Sequence, residues 1–174
     1  MAEKQLTYDE VLTMKNIFNK ILQILLLSVF TMSFSYADAP VSGKFSTALV
    51  SQNVLPIDDR GHILRLAEAA GINKGGFLDG WTANNKEIDD LIQGNGTQSG
   101  HLVFSRDKEN VTVKWQGSIT TVMGENKQPM TSFNGNWSFT GGTGSNSGIQ
   151  GGGTYKGYFT SETEYTVEWK GFRK

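Results

Sequence analysis

Few residues in this chain are of types that can do chemistry. Its 174 residues include two histidines, His62 and His101, and no cysteine. A metal ion held by both imidazoles and completed by Asp79 or Asp90 is chemically reasonable, since nitrogen and carboxylate donors both suit zinc. No H-x-H or H-E-x-x-H spacing is present, so no metal is expected and the histidines read as unrelated residues near strand starts. His62, His101 and Asp79 remain the polar candidates for a site. Two adjacent acidic pairs, Asp58-Asp59 and Asp89-Asp90, could suggest paired carboxylates. Neighbours on a strand point to opposite faces, so turn and capping roles are expected for them. No G-x-S-x-G nucleophile motif occurs, because Ser145 and Ser147 flank Asn146 in "GSNSG".

The stretch "FTGGTGSNSGIQGGGTYKG", residues 139–157, holds eight glycines and raises the question of a phosphate cradle. A Walker loop needs Gly-Lys-Ser/Thr at its end, but Lys156 is followed by Gly157 and Tyr158. A dinucleotide fingerprint fails too. After Gly142 and Gly144 the third glycine, Gly148, comes one residue late, and a strand-like run follows where a helix is needed. No cofactor is expected. The stretch reads as a left-handed turn followed by a glycine-bulged strand. Its glycines leave gaps for the large rings of Trp115, Trp137 and Trp169.

Those tryptophans, with Phe104, Tyr155 and Trp81, are the candidate ligand-binding residues. Core packing is the default role of such rings. In a closed eight-stranded barrel, though, inward-facing side chains either fill the lumen or line a space for one small ligand. Trp81, in "LDGWT", reads as a loop residue at a barrel mouth.

The elements that would position these residues are strands. "VTVKWQG" (111–117), "FNGNWSF" (133–139) and "YTVEWKGF" (165–172) alternate apolar and polar residues, the signature of half-buried antiparallel strands. "VTVKWQG" and "YTVEWKG" match in type, and each follows a strand-like run and a polar turn, so one hairpin is built twice. "GKFSTALVS" (43–51) reads as another strand. "DDRGHILRLAEAAG" (58–71) allows a short helix from Asp58 or Asp59 to Gly71 as well as a strand; the β character of the remainder tips it to strand. "GGFLDGW" and "KEIDDLIQGNG" supply one short element each. Pro40, Pro56 and Pro129 fall outside the clear strand runs.

The glycine segment resembles the Gly-Gly-Thr-Gly-x-x-x-Gly-x-x-Gly segment of bacterial proteins related to the allene oxide cyclase and dirigent barrels. "DDRGHILRLAEAAG" and "GNGTQSGHLVF" (94–104) are similar to sections of the same proteins. The resemblance implies an all-β fold, an antiparallel barrel of about eight strands, allene oxide cyclase-like or more broadly calycin-like. It further implies a homo-oligomer with a mostly apolar cavity. Plant members guide cyclisation or radical coupling by shaping the substrate; the resemblance carries over no catalytic residue.

Ahead of the barrel, Met14, Lys15 and Lys20 lead into the uncharged run Ile21 to Phe34, which ends at Ser35 and Ala37. A basic start, a short apolar run and a small-x-small site make a secretory signal peptide. At about 14 residues, diluted by Gln23, Ser28, Thr31 and Ser33, the run is short for a membrane span of roughly 20. Cleavage after Ala37 would leave residues 38–174 as one barrel domain in the periplasm or secreted, with no stable membrane insertion; residues 1–13 are an extension of no fold value. The chain carries 16 Lys and Arg against 17 Asp and Glu. That balance, without a basic stripe, argues against nucleic acid or an anionic membrane as partner. Sequons begin at Asn95, Asn110 and Asn136. The functional expectation is a small apolar ligand in the lumen, with two alternatives: an isomerase or cyclase in the same cavity, and a packed barrel used for protein interaction.

Overall fold

The computed structural model describes residues 38–174 and, ahead of them, Lys15 alone. The expected signal peptide and the extension before it therefore lie outside the described residues. Eight antiparallel strands follow in chain order: β1 (Ala39–Asp58), β2 (His62–Lys74), β3 (Thr82–Ile92), β4 (Asn95–Arg106), β5 (Glu109–Met123), β6 (Pro129–Gly142), β7 (Gly151–Phe159) and β8 (Glu164–Arg173). Each pairs with the next, and β8 pairs back onto β1, so the sheet closes as a barrel.

The alternation sets the two faces. On β5, Val111, Val113, Trp115 and Ile119 are buried while Lys114, Gln116 and Ser118 face outward. Trp115 lies opposite Trp137 of β6, and Tyr155 of β7 opposite Trp169 of β8. The two matching sequence runs occupy β5 and β8, each as the second strand of a hairpin. Successive strands run in opposite directions, so these two hairpin turns lie at opposite ends of the barrel. The end with the β1–β2, β3–β4, β5–β6 and β7–β8 turns is called the upper end here, and the other the lower.

Of the ambiguous stretch 58–71, Asp58 ends β1, and from His62 onward it belongs to β2, a full strand between β1 and β3. Its helical period loses because a closed sheet needs a wall there, and Ala67, Ala69 and Asn73 on one face are buried. "GGFLDGW" forms no element and is the loop between β2 and β3, with Gly75, Gly76, Leu78 and Gly80 all at positive φ. The prolines sit inside strands after all. Pro40 is the second residue of β1, and Pro129 opens β6. Pro56 lies beyond Ala48, where β1 loses its partner on the β8 side. A missing N–H is tolerated at strand starts and along an open edge.

After β6 the glycine segment makes a 3-10 turn, Gly144–Asn146, then β7. Gly144, Gly148 and Gly151 take positive φ, as the left-handed reading requires. Gly157 on β7 performs the other expected task. A Cβ there would overlap the ring of Phe133 and the carbonyl oxygen of Thr166, so the absent side chain is what lets the aromatic ring seat against the strand.

Candidate functional site

The lumen is a nearly filled aromatic barrel with one polar sector. Phe133 packs edge-on against Tyr165 at 5.6 Å, Trp115 against Tyr155 at 5.7 Å, and Trp137 against Trp169 at 5.6 Å. The space left between them is about 60 Å³. That exceeds the ~10–15 Å³ one water needs, and falls far below the ~300 Å³ of a typical ligand site.

The lower end is plugged. Asn73, fully buried on β2, donates from Nδ2 to the carbonyl oxygens of Phe77 and Leu78, both at 3.0 Å, and accepts from Trp169 Nε1 at 3.0 Å. One amide thus ties the β2–β3 loop to a lumen tryptophan. Trp81 is buried in this closure, with the Arg106 guanidinium 5.2 Å from its ring centre. Replacing Asn73 by Leu removes all three bonds at once and leaves the Phe77 carbonyl and the Trp169 indole N–H without partners, while the Leu78 carbonyl keeps the Trp81 N–H at 3.2 Å. Each such buried group costs about 1–3 kcal/mol, so a loss of about 2 kcal/mol or more is expected in urea denaturation. A loss under ~1 kcal/mol would show that the plug does not depend on this amide.

The polar sector comes from β3. Its inward positions are Ala83, Asn85, Glu87, Asp89 and Leu91. Arg65 of β2 stands opposite Asp89 in register. Its Nε donates to Asp89 Oδ2 at 2.6 Å and its Nη2 to Glu87 Oε1 at 3.0 Å. Asn85 Nδ2 donates to Glu87 Oε2 at 2.7 Å and to Tyr165 Oη at 3.1 Å, while Trp115 Nε1 donates to Asn85 Oδ1 at 2.8 Å. Across the lumen Gln98 Nε2 donates to Tyr155 Oη at 3.2 Å. The Arg65 guanidinium lies 5.7 Å from the Phe159 ring centre, and both belong to the cavity lining near the upper end.

One guanidinium faces two carboxylates here. Burial, then repulsion from Asp89, push the Glu87 carboxyl from its ordinary 4.5 up to about 7 against the opposing pull of Arg65. Burial raises Asp89 as well. Among the described residues, Asp89 Oδ1 has no hydrogen-bond partner, which marks the cluster as short of donors. The Tyr155 and Tyr165 hydroxyls are also raised, mainly by burial, and stay protonated at neutral pH. Chemically, Glu87 can hold or release a proton near neutrality inside an aromatic cavity.

The candidates divide cleanly by location. Trp115, Trp137, Trp169, Phe104 and Tyr155 all line the cavity. Trp81 lies in the lower closure. The three polar candidates are not among the cavity-lining residues and are not brought together. His62 sits at the tip of the β1–β2 hairpin, its Nε2 2.7 Å from Asp90 Oδ1 and its Nδ1 3.6 Å from Asp58 Oδ2. His101 faces outward on β4. Asp79 accepts from the Gly75 N–H at 2.6 Å in the β2–β3 loop. Asp89 and Asp90 do point to opposite faces, and Asp58 does serve a turn by accepting the Arg60 N–H at 2.9 Å. Asp89 corrects the expectation of a turn role: it is buried in mid-strand, because the β2–β3 register sets it against Arg65. Asn85, Glu87 and Arg65 were missed. Their signal was the period-two spacing of Asn85, Glu87 and Asp89, which puts three polar residues on one strand face.

No protein-family model matches the sequence, and no curated protein matches it. Among solved structures, this chain is similar to two pterocarpan synthase dirigent proteins. One is 14% identical with a TM-score of 0.44, over 82% of this chain and 94% of that one. The other is 12% identical with a TM-score of 0.43, over 79% and 95%. The closed eight-stranded barrel itself is established by the strand pairing.

Proposed function

We propose that the lumen receives a small, flat, mostly apolar molecule carrying one uncharged hydrogen-bonding group. The observation that carries this reading is the placement of Glu87, Asn85 and Tyr165 as a polar patch in an otherwise aromatic cavity. Apolar rings supply contact area, and a few convergent polar groups fix orientation, the usual division of labour in small-molecule sites. The cavity's about 60 Å³ is smaller than the ~150 Å³ of an apolar cavity that takes a benzene ring, so the aromatic walls must move to admit even a one-ring occupant. A carboxylate ligand is disfavoured, since the cluster already holds two acids for one guanidinium.

A second reading, proton transfer to or from the bound molecule, is favoured by the placement of the Glu87 carboxyl in the cavity wall, where burial and the neighbouring Asp89 push it up to about 7. A general acid or base works best when its pKa lies close to the working pH. Glu87 would donate to, or take from, the ligand's polar end while the rings hold the rest in place. An isomerisation or cyclisation that needs one proton moved is the matching reaction class.

Titration with phenol, toluene and benzoate, followed by tryptophan fluorescence, tests the binding reading. Phenol is expected to change the emission of the lumen tryptophans at lower concentration than toluene, with benzoate weakest at pH 8. No response to phenol, with a clean ligand-free mass for the protein taken from its source, would overturn it.

A further inference from the structure

A second concave surface lies outside the barrel, on the face formed by β2 to β6. It is a shallow, largely open groove of about 620 Å³, ten times the lumen's free space. Its floor is two cross-strand rungs, Ser99–Gln116–Asn136 and Thr97–Ser118–Asn134, placed by the β4–β5 and β5–β6 registers. Neighbouring strands are ~4.8 Å apart and the two rungs ~7 Å apart along the strand. All six side chains are exposed. Among the described residues, none of them takes part in a side-chain hydrogen bond, although Asn and Gln can each donate and accept.

Two glycines back this floor on the inner side of the sheet. Directly beneath the floor, Gly117 and Gly135 face each other across β5 and β6. A Cβ on Gly117 would overlap the Asn134 carbonyl oxygen, and one on Gly135 the Gln116 carbonyl oxygen. The same hypothetical atoms would lie 2.6 and 2.7 Å from Tyr155 Oη. Lacking side chains, the two strands let the Tyr155 hydroxyl pack directly against their backbones beneath the floor.

The lining chemistry narrows the occupant. Asp90 is the ionisable residue of the lining, and His62 already engages it at 2.7 Å. Lys156, in register beside Asn134, is held by Glu168 at 3.2 Å. Nucleic acid and other polyanions need unpaired cations to displace counterions, and the lining offers none. Protein interfaces concentrate aromatic, Met and Arg side chains at their centres; this centre is amide and hydroxyl, with Leu64 and Ile88 along one edge. An uncharged, densely hydroxylated polymer matches all of this: many donors and acceptors, no net charge, and ring C–H faces for the aliphatic edge.

We propose that this outer groove binds a neutral polysaccharide, independently of what occupies the lumen. The test is affinity electrophoresis of the full chain through gels containing dextran, galactomannan or soluble starch, with alginate as the anionic control. At least one neutral polymer is expected to retard the protein. The Asn134→Ala/Asn136→Ala double variant, whose side chains are exposed, is expected to fold normally and to bind about tenfold more weakly. Glu87→Gln, inside the lumen, is expected to leave retardation unchanged, which keeps the two sites separable. Retardation by none of the neutral polymers, equal retardation of the double variant, or stronger retardation by alginate would each overturn the proposal.

Discussion

Replacing Arg65 by Leu is expected to destabilise the barrel by about 3–5 kcal/mol at pH 7.5, the range for removing one partner of a buried ion pair. The guanidinium serves Asp89 through Nε and Glu87 through Nη2, and its side chain is only 12% exposed. Leucine fills the volume but leaves two carboxylates in a low-dielectric interior with no cation. The penalty should shrink at pH 5, because Glu87, pushed up to about 7, then carries a proton and sheds its buried charge. Urea denaturation at the two pH values checks this. A loss of the same size at both would mean that lost packing against Phe159, and not charge, sets the cost. Arg65→Lys is expected to fall between wild type and Leu, since an ammonium keeps the charge but not the fork that reaches both acids.

Stability itself should fall as pH rises from about 4.5 to about 7, unlike a protein whose acids are stabilised by folding. The unfolded chain gives up the Glu87 proton near its ordinary 4.5, whereas the folded barrel keeps it until about 7. Between those values the native state binds more protons, so each rise in pH favours unfolding. A difference of that size corresponds to about 3 kcal/mol, complete once pH passes 7. The upward shift of Asp89 adds in the same direction. Glu87→Gln is expected to remove most of this slope and to equal or exceed the wild type in stability at pH 8, since a neutral amide retains hydrogen-bonding capacity without the buried charge. An unchanged slope in that variant would show that Glu87 ionises normally in the folded barrel. If the proton-transfer reading of the lumen holds, the same titration should also govern turnover.

The two effects share one origin. The lumen is almost filled with aromatic rings, so little water can reach the acids, and what shields them is protein. Burial of the cluster therefore pushes the Glu87 carboxyl up to about 7, and on the proposed reading of the lumen the same two acids would select for uncharged occupants. Both follow from placing two acids and one base on the inner face of β2 and β3.

Much of the architecture is legible in the residues themselves. Alternation on β5, β6 and β8 marks the inward faces, and Trp115, Trp137 and Trp169 do point into the lumen. The rejection of a phosphate cradle also stands on sequence, because the run after the glycines alternates as a strand. The β2 segment was less legible, since "HILRLAEAAG" satisfies both periods; pairing with β1 and β3 decided it. The polar site was legible only in half. Asn85, Glu87 and Asp89 fall on one face by spacing alone, but such a face reads equally well as solvated.

What the sequence by itself determined is the two-residue period, the turns and the glycine gaps, all local preferences of neighbouring residues. Only the tertiary structure decided which face of β3 is inside. Closure of β8 onto β1 turns that face from water toward the rings of Trp115, Tyr155 and Tyr165. The β2–β3 register then brings Arg65, 24 residues away in the chain, to Asp89. Exclusion of water raises the acids, and no local pattern encodes that, because desolvation is set by what lies across the barrel and not by what lies next along the strand.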